Sequence, residues 1–231
     1  MSEILKINNL WGGYQEGVDI LRGISLEVQQ GEAVGIIGLN GSGKSTFGKA
    51  IMNMIPFRKG EIFFEGEDIT SLTTNQLSHR GISIMQQGGK VFGNLSVWEN
   101  LQLASRGDIS PLKDIIPLLQ RPKRELQHLM ADKLSGGQKH QLSLAMTLAS
   151  NPRLVVLDEP SAGLSPKAVK EMYQMLCSVR AKLNVTVILI EQNIAMAVNF
   201  CRYLYLLELG FFDKGKRLKN FSDINIIMFN K

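Results

Sequence analysis

The 231-residue chain has only two cysteines, Cys177 and Cys201, and three histidines, His79, His128 and His140. Neither cysteine belongs to a CxxC pair and no histidine stands beside either one. A disulfide scaffold and a sequence-encoded zinc site are thereby excluded, and a reducing cytoplasm is the simplest compartment. No stretch approaches the roughly 18 apolar residues that span a bilayer. The longest apolar runs, VTVILI at 185–190 and YLYLLELGFF at 203–212, suit buried strands. The start, MSEILKINNLW, carries an acid at Glu3 and lacks the apolar run of a secretion leader. Strong charge of one sign is missing too: 26 Lys and Arg against 21 Asp and Glu leave +5, too little to imply nucleic-acid binding. There is no internal repeat or low-complexity tract.

What remains is an ordinary globular composition, 44% hydrophobic and 20% charged. The length corresponds to about one and a half domains. Periodicity predicts strands at 3–9, 24–28, 33–37, 61–65, 82–86, 153–157, 185–190 and 203–208. The early ones alternate, as in ISLEV at 24–28, and read as antiparallel. GEAVGIIG, RLVVLDE and VTVILIE are continuously apolar, as parallel strands covered on both faces must be. Helices are expected after Lys44, with Phe47, Ile51 and Met54 on one face, and from Pro166. The second is capped by Ser165 and buries Val169, Met172, Tyr173, Leu176, Val179 and Leu183. An α/β layered fold follows. Residues 88–133 differ in texture: a Gly-rich loop, a capping-box pair at Ser96 and Glu99, then short helical pieces broken by Pro111, Pro117 and Pro122. They read as a small helical insert.

Strand 33–37 runs into Gly38-Leu39-Asn40-Gly41-Ser42-Gly43-Lys44-Ser45-Thr46, which fits GxxxxGK[ST] in a strand–loop–helix context. Such glycines let successive backbone N–H groups turn toward phosphate oxygens, and the following helix adds its positive end. Lys44 is placed to neutralise β- and γ-phosphates, and Ser45 to offer a hydroxyl to Mg²⁺. The strand at 153–157 ends in Asp158 and Glu159, two carboxylates that need a reason to sit at a buried strand tip. Asp158 can hold Mg²⁺, and Glu159 can polarise a water attacking the γ-phosphate. Leu134-Ser135-Gly136-Gly137-Gln138, opening a helix with Leu142, Ala145, Met146 and Ala149, makes a second anion site by the same backbone logic.

Together GLNGSGKS, LSGGQ and VVLDEP resemble the signature set of ATP-binding-cassette (ABC) ATPases over nearly the whole chain. The resemblance implies one cassette over 1–231, with a mixed, mainly parallel core sheet, an N-terminal antiparallel β subdomain and the helical insert. It implies ATP and Mg²⁺ as ligands and Tyr14 as an aromatic that stacks on adenine. Gln87, favoured over Gln86, takes the place of the lid glutamine that contacts Mg²⁺ or the attacking water. Ser135, Gly136, Gly137 and Gln138 would contact ATP held by an opposing subunit, so a head-to-tail pair is implied, a homodimer or a heterodimer with a sister subunit. A separate membrane permease is the further partner, with the chain peripheral on the inner face of the membrane and neither inserted in it nor bound to nucleic acid.

Two positions depart from that family pattern. Gln192 stands where a switch histidine is usual, and the three histidines all lie elsewhere in the sequence. Glutamine can donate a hydrogen bond to a γ-phosphate but cannot titrate. Ser165 replaces a usual aspartate after the catalytic glutamate. EQN at 191–193, SxGLxP after DEP, and GEDIT with RGI resemble the subgroup importing branched-chain amino acids, urea or amides. That subgroup commonly has PEGR where this chain has Gln86-Gln87-Gly88-Gly89, and its insert is longer. A soluble ABC-type ATPase of nucleic-acid or ribosome processes is the alternative, but the long coiled coil, zinc cysteines and second cassette of such proteins are absent. A weakly hydrolysing regulatory module is the other alternative; Glu159 argues against it.

Overall fold

The computed structural model describes residues 2–212. The basic cluster at Lys214, Lys216, Arg217 and Lys219 and the aliphatic segment 224–229 lie outside the described residues.

The chain opens with β1 (Glu3–Gly13), β2 (Leu21–Gln29) and β3 (Ala33–Ile37), then α1 (Lys44–Ile51), β4 (Phe57–Phe64), β5 (Glu67–Asp68), α2 (Thr74–His79) and β6 (Ile82–Met85). A run of short helices follows: α3 (Val97–Ala104), α4 (Ser110–Lys113), α5 (Lys123–His128) and two 3-10 turns. The chain then forms α6 (Gly136–Ala149), β7 (Leu154–Asp158), α7 (Pro166–Leu183), β8 (Thr186–Glu191), α8 (Ile194–Phe200), β9 (Tyr203–Glu208) and β10 (Phe211–Phe212). Two sheets result. The antiparallel one has the order β2-β1-β4-β5, and the mainly parallel one β10-β9-β3-β8-β7-β6.

Each sheet matches its sequence pattern. In β2 the buried residues Ile24, Leu26 and Val28 alternate with exposed Ser25 and Glu27, the mark of one covered face. Every residue of β3, β7 and β8 is buried, and their side chains divide by period two between two cores. Val34, Ile36, Val156, Ile188 and Ile190 face α1 and the antiparallel sheet. Ala33, Ile37, Val155, Leu157, Val187 and Leu189 face α6, α7, α8 and the short helices. Helix α1 comes close to the sheet because Gly48 has no side chain: a Cβ there would stand 2.8 Å from Ile190 Cδ1 and 3.2 Å from Val156 Cγ1.

Differences from the expected elements are mostly at ends. Strand β1 continues to Gly13 because its residues keep pairing with both β2 and β4 across bulges. Helix α1 stops at Ile51, so Met54 is not on its face but packs from the loop beyond. Helix α7 is capped by Ser165, which accepts from the Ala168 N–H; it buries Met172, Leu176 and Val179 as expected and Met175 besides, whereas Val169, Tyr173 and Leu183 at the edges of the stripe are only half-buried. In the 88–133 segment the Ser96–Glu99 capping box forms as expected. The fully buried Asn100 was not anticipated. Its amide donates to the carbonyls of Phe92 and Ser96 and accepts from Phe92 N–H, closing the loop ahead of α3.

Candidate active site

Three neighbouring parallel strands end at one level. Ile37 of β3 is paired with Glu191 of β8, and Ile190 of β8 with Asp158 of β7. The loops leaving these ends hold Gly38–Gly43, Gln192 and Glu159, so sheet register alone gathers three sequence-distant predictions at one edge. Ligands of open α/β sheets bind at such carboxyl ends.

The loop from Gly38 to Gly43 turns into α1 through two left-handed glycines, Gly41 (φ 79°) and Gly43 (φ 102°), where a side chain would be strained. Gly43 is the N-cap, and no side chain caps the helix. The first N–H groups of α1 therefore have no intrahelical partner, and they carry the positive end of its dipole. Lys44 is buried; its Nζ donates to the carbonyls of Gly38 and Leu39, both at 2.9 Å, and stands 3.7 Å from Glu159 Oε1. Ser42 Oγ is the one buried side-chain polar atom without a hydrogen-bond partner among the described residues. Asn40, Gly41, Gly43, Lys44, Ser45 and Thr46 line a cavity of about 450 Å³, with Ile20, Gln87 and Glu159 on its other walls.

The two carboxylates differ in setting. Asp158 Oδ1 accepts from Ser45 Oγ at 3.0 Å, so the two groups predicted to hold a cation already touch. Burial pushes the Asp158 carboxyl above its ordinary value; Ser45 opposes the shift, and the like charge of Glu159 adds to it. Glu159 sits in the left-handed region (φ 46°), a conformation that costs a non-glycine residue about 1 kcal/mol or more. Its N–H donates to Ile190 O at 2.9 Å, and its side chain is held between Lys44 and Gln87, whose Nε2 donates to Glu159 Oε2 at 2.6 Å.

Other predicted residues lie apart from this cavity. Ser135 caps α6 in a reciprocal box with Gln138. Ser135, Gly136, Gly137 and Gln138 line a separate groove of about 560 Å³, together with Ser165 and Lys167. No residue lines both. Tyr14 is 43% exposed outside the first cavity's lining, with Lys49 Nζ 5.8 Å from its ring centre. Gln192 is exposed just beyond β8, between the two anchored residues Glu191 and Asn193.

Two neighbours of the site escaped the sequence reading. His140 Nδ1 lies 2.8 Å from Pro160 O, and a Cβ at Gly89 would stand 2.6 Å from its Cδ2. One of the three histidines, distant from Gln192 in sequence, thus reaches the Glu159 loop from α6. Glu191 is 2% exposed and accepts from Ser161 N–H at 3.1 Å and Asn193 N–H at 3.2 Å. Burial raises its carboxyl above the ordinary range against the pull of those bonds, and Glu159 adds to the rise. A buried strand ending in a carboxylate was the signal that marked Asp158, and VILIE carries it equally.

A family model described as ABC transporter matches residues 21–162, well over half of the chain. The chain belongs to the ABC transporter family. A probable branched-chain amino acid transport ATP-binding protein LivF from Archaeoglobus fulgidus is 34% identical over 211 residues, 90% of this cassette and 89% of the relative. A lipopolysaccharide export system ATP-binding protein LptB from Acidithiobacillus ferridurans is 30% identical, covering 91% and 88%. The crystal structure of a nucleotide-free ATP-binding cassette from an ABC transporter superposes with a TM-score of 0.83 at 26% identity, covering 99% of this chain and 96% of that one. The cassette is an ATP-binding ATPase subunit of this transporter family.

The donor set suits a polyphosphate. Unpaired N–H groups of a helix start, the orphaned Ser42 hydroxyl and a buried ammonium converge on one loop. Replacing Lys44 with alanine is expected to weaken nucleotide binding about 10- to 100-fold, the range for losing a charge-assisted bond, measured by titration with a fluorescent ATP analogue. Glu191 yields a pH prediction. Its raised folded pKa adds stability that is complete below the ordinary carboxylate value and lost as pH rises through the raised one. Glu191→Gln removes that loss, so its melting temperature should gain on wild type as pH rises above the ordinary carboxylate value of about 4. A difference that stays constant with pH contradicts the assignment.

Proposed function

We propose that this cassette hydrolyses ATP by in-line attack of water on the γ-phosphate and thereby drives a separate membrane permease. One observation carries the hydrolytic reading. Glu159 is fixed in a strained backbone position, its carboxylate held by Lys44 and Gln87 at the wall of the phosphate-loop cavity. In that place it accepts the proton of the attacking water while Lys44, the loop N–H groups and the start of α1 stabilise charge on the phosphate oxygens. Ser45, Asp158 and Gln87 are the residues that would hold Mg²⁺. The cation would neutralise the β- and γ-phosphates there. Tyr14 would stack on adenine, and Gln192 would donate to the γ-phosphate.

The signature groove is a second anion site remote from the first. A head-to-tail pair, of two copies or of this chain with a sister cassette, completes each phosphate site from both subunits. On this reading 1–231 is one cassette and 88–133 its helical insert. A groove of about 420 Å³ lies between the short helices and the parallel sheet, with Gln86, Lys90, Phe92, Leu103, Arg106 and Met146 among its walls. Gln86 and Lys90 flank Gln87, which walls the nucleotide cavity. One loop therefore touches both places, and this is the route by which a permease segment seated in the groove would respond to nucleotide.

Among the described residues no helix is long and apolar enough to cross a membrane; the permease would bring the cassette to the inner face. Branched-chain amino acids or related small polar solutes are the proposed cargo. The relatives named for amino-acid transport reach 34% and 33% identity, against 30% for the lipopolysaccharide exporter subunit. The EQN segment after β8 supports the same choice.

Glu159→Gln is the test. It should lower turnover at least about 100-fold, the lower range for a general base, while ATP is retained and a stable ATP-dependent pair accumulates with the permease attached. Turnover near wild type, with no accumulated pair, would show that another group activates the water.

A further inference from the structure

Glu191 is the one buried carboxylate at the site edge to which the hydrolytic reading gives no task. No Lys or Arg pairs with it among the described residues, and the charge that acts on its carboxyl, Glu159, has the same sign. A charge in that position is expensive to keep. Its two oxygens are not spent on one partner. One accepts from the N–H of Ser161, two residues after Glu159, and the other from the N–H of Asn193, the residue after Gln192.

Each loop has further anchors of its own. The Glu159 loop is tied to β8 by Glu159 N–H donating to Ile190 O, and to the signature helix by His140 at Pro160 O. The Gln192 loop is tied downstream, where Asn193 Oδ1 caps α8 by accepting from Met196 N–H. The Glu191 carboxylate is the side chain that bonds to both loops at once. We propose that Glu191 is a positioning residue for hydrolysis, a clamp that holds the Glu159 loop and the Gln192 loop at a set separation. It has this role only if Glu159 and Gln192 act on the γ-phosphate as proposed above. A carboxylate suits the task because both its oxygens accept, whereas a glutamine amide offers one acceptor and turns its NH₂ toward the other N–H. A charged acceptor also makes the stronger bond.

The clamp lies behind the phosphate loop and not in its cavity lining, so it should govern the rate and not the binding of ATP. Steady-state kinetics of Glu191→Gln are expected to show kcat at least tenfold lower with KM for ATP within twofold of wild type. Glu191→Asp keeps the charge but is one methylene too short to reach both N–H groups. It should lose kcat to a similar extent, and it carries the test if the glutamine variant does not fold. With Gln192→Ala, the double variant should lose less than the product of the two single losses, because each single change already disturbs the same loop. Wild-type kcat in both variants, a KM that rises as kcat falls, or losses that multiply would each overturn the clamp. Glu159→Gln measured alongside separates the two levels. If it turns over normally, the role of Glu159 fails; if it is inactive while Glu191→Gln is normal, only the clamp fails.

Discussion

Everything at this site hangs from the hydrogen-bond register of three parallel strands buried on both faces. Because β3, β8 and β7 lie side by side and end level, the phosphate loop, Gln192 and the Asp158–Glu159 pair reach one edge although more than a hundred residues separate the first from the last. The apolar side chains that fix this register divide between two cores, so a one-residue shift of a strand would send each of them into the wrong core. The chemistry is thus positioned by packing that takes no part in it.

That edge collects negative charge in a place where charge is costly. Asp158, Glu159 and Glu191 are all buried there, and Lys44 is the cation directly beside them. Each carboxylate is kept by a different device: a hydroxyl from Ser45, an ion pair and an amide from Lys44 and Gln87, and two backbone N–H groups. Holding three carboxylates out of water costs stability that apolar residues at these strand ends would not. On the proposed function, that cost is what allows a carboxylate to meet water at a polyphosphate.

Much of this was legible in the sequence, and for identifiable reasons. Continuous apolar runs announced β3, β7 and β8, because burial on both faces leaves no polar period to disguise them. The phosphate loop and the signature are local: their glycines and caps act within a few residues, so Gly43, Lys44 and Ser135 fall where spacing put them. What stayed hidden depends on contacts distant in sequence. Nothing near Glu191 or His140 in the chain tells that Ser161 or Pro160 will lie against them, and the Asn100 loop closure is visible only once Phe92 has folded back. The short β5 and β10 pair through two residues each, too few to carry a period.

The phosphate loop and the signature of one chain line different cavities, and the proposed function requires the signature to serve a nucleotide held elsewhere. Gly136→Asp tests this most directly, since a side chain at Gly136 meets nothing within 4 Å and the new carboxylate would repel a phosphate at the start of α6. Nucleotide affinity of the isolated chain and ATP turnover of the assembled transporter are the two quantities to measure. The expected result is an unchanged nucleotide affinity with turnover at least about 100-fold lower. An affinity that weakens in step with turnover would mean that the signature completes its own chain's phosphate loop, and the paired-cassette account would be wrong.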